Sequence, residues 1–538
     1  MRALVFAAVA ATFAASAMAA ESPGDTLIAA AKAHDAETAM YALQQGADAQ
    51  TKESDGTTAL HYAAHNGDEV LSEKLLKAKA DPNARNEFGT TPLAEAAEIG
   101  DAGVIKLLLK AGADVESRNP EGQTALMAVA RTGNVEAAKL LLKAGADVNA
   151  IEAWGGQSAL MWAAARQQPE MIKLLVAHNA NVNARGTVRD WQRRVTAEPR
   201  PKGMNRGGFT PLLYAAREGC VACLAPLLAG KVDLNQPDPD RTSPLVMAIM
   251  NLHFEFASEL IKAGADVDKW DLYGQTPLYV AIDMNTLPKG GRPDIPSEDH
   301  MTALQVAKQL LEAGANPNIQ LKLRPPYRNY IFDRGGDQVL ATGATALMRA
   351  AKGGDVAAVK LLLEHKAMVE LPNEDGVTPL MVAAGMGHGA NPTRGRYKTD
   401  AEADECVRLL AEAGGQINAR ARGQRTALHA AAAHGWTETV KLLVAKGADL
   451  EAEDAAGLTP MDHAAGRYQR AFLEPEPKPY VETMKVLHDI VVASTGREPK
   501  EFKGPRPAQT RGTAGNAGTA STGAAAAGTA STEQAQVR

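Results

Sequence analysis

Residues Asp55 to Ala84 read DGTTALHYAAHNGDEVLSEKLLKAKADPNA, and the same layout returns from Gly423 to Ala452 as GQRTALHAAAAHGWTETVKLLVAKGADLEA. Each stretch carries a Thr just ahead of a short apolar run, where its side chain can cap a helix by accepting a hydrogen bond from a free backbone N–H. Marking the Thr or Ser that precedes Pro or Ala and then Leu or Met at the start of each repeat yields Thr58, Thr91, Thr124, Ser158, Thr210, Ser243, Thr276, Thr345, Thr378, Thr426 and Thr459. Successive markers lie 33, 33, 34, 52, 33, 33, 69, 33, 48 and 33 residues apart, so the chain is built on a period of 33.

The long steps are single repeats that carry insertions. In regular repeats a helix-ending Gly follows the marker by 21 residues, as from Thr91 to Gly112, Thr124 to Gly145 and Ser243 to Gly264. From Thr276 to Gly314 the interval is 38, and Gly314 to Thr345 is 31 where Gly112 to Thr124 is 12. The 69-residue step is therefore one repeat with 17 and 19 extra residues, and the 52- and 48-residue steps are one repeat each with 19 and 15 extra.

Within a repeat, Pro follows the marker six times, at Pro92, Pro211, Pro244, Pro277, Pro379 and Pro460, where its missing N–H is no loss. A short helix such as Thr124 to Arg131 is predicted, then a turn at Thr132-Gly133-Asn134, then a second helix through Leu140-Leu141-Leu142. Gly145 stops that helix in the left-handed conformation. The polar "GADVNA" segment and its continuation to the next marker should project as a hairpin-like finger. Two short helices cannot bury their own apolar faces, so neighbouring repeats must stack.

These residues resemble the ankyrin repeat, and the two quoted stretches match that pattern nearly throughout. Eleven marked repeats and a degenerate first one, Asp25 to Gln50, extend the resemblance from Asp25 to Ser494. It implies an all-α solenoid of about 12 helix-turn-helix repeats with β-hairpin fingers. It also implies a protein partner held by the fingers and the inner, first helices. The pattern's His appears only at His61 and His429, and Lys79, Asn179, Lys231 and Lys366 replace the helix-ending Gly. Those repeats should fray first, since the left-handed conformation strains a side chain, Asn least.

Composition agrees with a globular repeat array. The 538 residues are 22% charged and 45% hydrophobic, with only 4% aromatic. The net charge of −6 gives no electrostatic case for wrapping nucleic acid or binding an anionic membrane. Met1-Arg2, the apolar run Ala3 to Ala15 and Ala17-Met18-Ala19 read as a signal peptide over 1–19, cleaved after Ala19. The alternative, an N-terminal membrane anchor, needs roughly 20 apolar residues. Residues 20–495 then form the solenoid of an exported chain, periplasmic or secreted, not inserted in a membrane and expected to be a monomer. In this the chain looks similar to exported ankyrin-repeat proteins of Gram-negative bacteria. Residues 496–538 read as a flexible tail, with 20 of the 21 residues from Gly512 to Thr532 being Gly, Ala, Ser or Thr.

The insertions are its most individual feature. Those near 185–206 and 321–342 extend fingers, and those near 286–299 and 388–400 open the turn between a repeat's two helices. The first holds seven basic residues, among them Arg189, Arg193 and Arg194, against two acidic ones, and Trp191 stands in their midst. The third sets Tyr327, Tyr330 and Phe332 beside Arg324, Arg328 and Arg334. Such Arg and aromatic clusters suit partner recognition, or equally packing along the array with the Arg residues paired to acidic fingers. Cys220 and Cys223 open a second helix at i, i+3 spacing, which suits a disulfide, two buried thiols or, without a thioredoxin-like setting, a redox pair. Leu224 stands where a covalent haem motif needs His. Cys406 is expected to be buried. His61 and His65 have no third partner for a metal, and neither a phosphate-cradling loop nor a nucleophile elbow occurs. The reading is an exported protein-binding scaffold with no cofactor and no catalytic residues. Its rivals are a thiol oxidoreductase using Cys220 and Cys223 and a secreted effector that binds a host protein.

Overall fold

The computed structural model describes residues 22–189, 206–286, 299–323, 325, 339–387, 398–468 and 478–500. Among them lie 24 helices in twelve antiparallel pairs, one pair per repeat, from Pro23–Lys32 with Ala36–Gln44 to Pro460–Ala464 with Val481–Thr495. The all-α solenoid expected from the period is the fold observed.

The markers start the first helices as their chemistry predicts. The hydroxyls of Thr91, Ser158, Thr210, Ser243 and Thr276 accept the amide three residues on, at 3.1–3.4 Å. At Thr58 and Thr426 the imidazole of His61 or His429 completes a capping box with the marker. Its Nδ1 accepts the marker's own amide at 3.2 Å, and its Nε2 donates 3.1 Å to Thr90 or Leu458 in the next finger. These two His residues thus sew a helix start to the following repeat. Second helices end at Gly112, Gly145, Gly264, Gly314 and Gly447 with φ of 90–94°, and Lys79, Asn179, Lys231 and Lys366 adopt the same left-handed turn at 63–65°.

The core repeats with the sequence. Leu60, Leu93, Leu126, Leu160, Leu212 and Leu245 of the first helices, and Leu75, Leu108, Leu141, Leu175, Leu227 and Leu260 of the second, are all buried between adjacent repeats. The fingers are tight turns, closed by single antiparallel bridges such as Lys52 to Thr58 and Arg118 to Thr124. A backbone bond links most fingers to the next, as from Glu87 N to Asp55 O at 2.7 Å and Leu272 N to Asp240 O at 3.0 Å, while Pro120 and Pro239 have no N–H to give at that position. Side-chain amides reinforce this. Asn83 and Asn149 each donate to the carbonyl ending the next helix pair and accept an amide of that repeat, at 2.7–3.2 Å.

The insertions leave the stacking intact. Val188 bridges to Gly207 and Arg189 N donates to Arg206 O at 2.8 Å, so these four residues extend a finger as a paired stem. Leu321 pairs with Gly343 and Ala344 in the same way. Helices Pro277–Asn285 and Ala303–Glu312, and Pro379–Ala383 and Asp400–Glu412, flank the two opened turns. Thr302 and Thr399 restart the chain with capping boxes. A further opened turn lies between Ala464 and Val481, which the marker spacing could not show because no marker follows it.

The last repeats carry buried imidazoles. Burial is the first cause that pushes His429 and His434 down to about 4, and it lowers His463 as well. Each folded pKa lies below the unfolded value of about 6.5. The stabilisation from keeping these rings neutral is therefore full above pH 6.5 and lost as pH falls toward 4. Thermal melts or hydrogen exchange taken from pH 7 to pH 4 should show repeats eleven and twelve loosening by a few kcal/mol before the N-terminal repeats do.

Candidate protein-binding surface

The residue four places after each marker stands on the first-helix face, beside the fingers. In repeats two to seven this row is open: Tyr62, Glu95, Trp162, Tyr214 and Met247 are half-buried, with only Ala128 covered. A cation accompanies each aromatic ring of the row. Lys32 Nζ lies 5.3 Å from the Tyr62 ring centre, Arg131 5.7 Å from Trp162 and Arg217 5.1 Å from Tyr214. Acidic and amide groups hold the assembly in register. Tyr62 donates to Glu53 at 2.7 Å, Arg131 pairs with Glu98 of the preceding repeat, and Gln157 donates to the Tyr214 hydroxyl at 2.5 Å. Burial raises the phenol pKa of Tyr62 and Tyr214, so both stay neutral. Chemically this is a strip of ring faces and half-exposed guanidinium groups, suited to apolar and hydrogen-bonding contacts at once.

In repeats eight to twelve the equivalent residues, Val280, Arg349, Val382, Ala430 and His463, are buried. Arg349, 1% exposed, pairs through Nε with Asp283 of the preceding repeat. Lys398 is also buried, and its ammonium donates to Ala351, Val382 and Ala383 carbonyls at 3.1, 2.8 and 2.7 Å. It thereby caps the C-terminal end of Pro379–Ala383 from the far side of an insertion. The first-helix face therefore has an open half and a closed half.

Of the residues singled out in sequence, Arg189 is the one in the long fingers whose setting is described. It donates through Nη2 to Trp154 O at 2.7 Å, with its guanidinium 5.9 Å from the Trp154 ring. Arg185 donates to Gly208 and Pro237 carbonyls, and Arg206 to that of Pro239, so part of this basic cluster braces neighbouring fingers. Trp191, Arg193, Arg194, Tyr327 and Tyr330 lie outside the described residues. Cys220 and Cys223 form a disulfide with Cα atoms 5.3 Å apart, and Cys406 is a buried thiol.

Sequence reading overlooked Trp154, which is 68% exposed at a finger tip, and Phe88, exposed at the equivalent tip two repeats earlier. It also passed over Tyr62, Trp162 and Tyr214. Their common place four residues after a marker was the available signal. Among the described residues no three His, Cys, Asp or Glu side chains converge as metal ligands, and no helix is long and apolar enough to cross a membrane.

Comparison with known proteins agrees with this architecture. The family model for ankyrin repeats (3 copies) matches residues 26–119, 93–186, 212–321, 301–391 and 399–473. The human transient receptor potential cation channel subfamily A member 1 is 28% identical over 279 residues, 50% of this chain and 22% of the channel. The chicken nuclear factor NF-kappa-B p105 subunit is 29% identical over 269 residues, 47% of this chain and 22% of that protein. Human ankyrin repeat domain-containing protein 63 is 35% identical over 134 residues, 24% of this chain and 32% of that protein. The matches thus span a fifth to a third of these relatives. With the family model covering most of its length and twelve stacked helix pairs on the same period, the chain belongs to the ankyrin-repeat family.

Proposed function

We propose that the chain is an exported scaffold that binds another protein on the open half of its first-helix face. The observation that carries this reading is the confinement of half-buried Tyr62, Trp162 and Tyr214, each with its cation, to repeats two to seven. Aromatic and Arg side chains dominate binding energy where a partner can dry them. The tips bearing Phe88 and Trp154 flank this strip and would clasp the same partner. Export rests on the leader pattern of residues 1–19 and gives the scaffold a periplasmic or extracellular partner. A secreted effector acting on a host protein would use the same surface. The thiol oxidoreductase reading finds less support, since Cys220 and Cys223 open an ordinary repeat helix, Val221–Ala229, and not a thioredoxin-like βαβ setting.

The test is affinity capture with the mature chain, whose N-terminal sequence should begin at Ala20, followed by titration of the captured partner. Trp162→Ala with Tyr214→Ala should weaken binding on the order of 100-fold. Val70→Ala, on the exposed side of a second helix, should leave binding unchanged. Equal binding by both variants would remove the open face from the interface.

A further inference from the structure

Helix Val221–Ala229, the second helix of the sixth repeat, combines three local weaknesses. Its N-cap, Cys220, gives the helix no side-chain hydrogen bond, and the Cys223 amide bonds back to the Cys220 carbonyl at 2.9 Å. Pro226 sits inside the helix, leaving one carbonyl of the preceding turn without its usual donor. Lys231 follows in the left-handed conformation at φ 63°. In helices Ala36–Gln44, Glu69–Lys77, Ala102–Lys110, Val135–Lys143 and Val356–Glu364, the N-cap is an Asp or Asn. Its side chain accepts the N3 amide at 2.8–3.1 Å.

The sixth repeat joins the same two positions, N-cap and N3, by the Cys220–Cys223 disulfide. We infer that this bond is a redox-controlled helix cap, a covalent replacement for the Asp cap that a dithiol reductant can open. Cys220 is 5% exposed and Cys223 fully buried, so an incoming thiolate meets the Cys220 sulfur first. Attack there breaks the Cys220–Cys223 bond, and Cys223 leaves as a thiolate that takes up a proton. The second thiol of the reductant then displaces Cys220. Two electrons and two protons pass to the pair, and the reductant becomes a disulfide. What remains is a nine-residue helix with an interior Pro and no side-chain cap acceptor. Its partner in the repeat, Pro211–Glu218, carries Tyr214 and Arg217, so uncapping loosens the backing of the open face. That last link rests on the reading of the face as a binding surface.

Hydrogen exchange on the full chain, oxidised and then treated with dithiothreitol, tests the cap. Exchange across 221–230 should rise roughly tenfold on reduction while Ala102–Lys110 and Val135–Lys143 stay unchanged. Cys220→Ala with Cys223→Ala should exchange like the reduced chain without any reductant. Cys220→Asp with Cys223→Ala should restore slow exchange and be indifferent to dithiothreitol. Equal exchange in the oxidised and reduced chains would overturn the inference. So would a disulfide that dithiothreitol leaves closed in the folded chain, or an Asp variant as fast as the double Ala variant. If the exchange changes appear and partner binding does not move, the cap stands and its link to the open face falls.

Discussion

Asp283→Ala should destabilise repeats eight and nine by about 3–5 kcal/mol, among the largest single-residue effects expected in this chain. Asp283 and Arg349 lie on first helices of adjacent repeats, and both side chains are 2% exposed. Their attraction offsets the loss of hydration only while both are present. Removing the carboxylate leaves a guanidinium in a site that water does not reach, and Arg cannot shed its charge. Replacing the two together, Asp283→Leu with Arg349→Met, should recover most of the loss, because an apolar pair of similar volume has no charge to bury. Denaturant melts resolved by hydrogen exchange separate the cases. A single variant as stable as the parent would mean that the pair is solvated.

Leu141→Ala tests stacking directly and should cost on the order of 2–5 kcal/mol. Leu141 belongs to Val135–Lys143 and is fully buried in a run of repeats free of insertions. In a quasi-one-dimensional array, the cavity weakens the interfaces on both sides of the fourth repeat as well as the repeat itself. Exchange should therefore rise in Ala102–Lys110 and Pro169–Ala177 along with the mutated helix. A rise confined to Val135–Lys143 would contradict neighbour coupling.

The fold was legible because its rules are local and repeated. A capping hydroxyl at Thr91, a Pro at Pro92, a left-handed Gly at Gly112 and a Leu in each helix recur every 33 residues, and each has one physical reading. Even Lys79 and Asn179 follow the rule of their position: the turn is required by the stacking, and the side chain accepts the strain. The surface was less legible. Arg189 stood out in composition, yet its contact is with Trp154, 35 residues away, and nothing local to either residue announces the pairing. The buried pair of Asp283 and Arg349 was hidden for the same reason, since 66 residues and two insertions separate its partners. Burial of Lys398 could not be foreseen either, because a lysine at the end of a loop is ordinarily solvated. Only the folded array sets helix ends with unpaired carbonyls around it.

The finger-to-finger bond Thr187 N to Gly155 O, 2.7 Å long, lies just ahead of the extra residues between Val188 and Gly207 and matches its counterparts in uninterrupted repeats. Contour length and repeat geometry are therefore independent variables in this chain. The closure entropy of a loop grows only slowly with its length. A segment hung from such a stalk can lengthen, shorten or change its chemistry while the next repeat docks at the same distance and angle. Recognition can thus diverge at the finger tips under almost no constraint from the core, and homologous arrays of equal repeat number can differ in partner with their Leu positions unchanged.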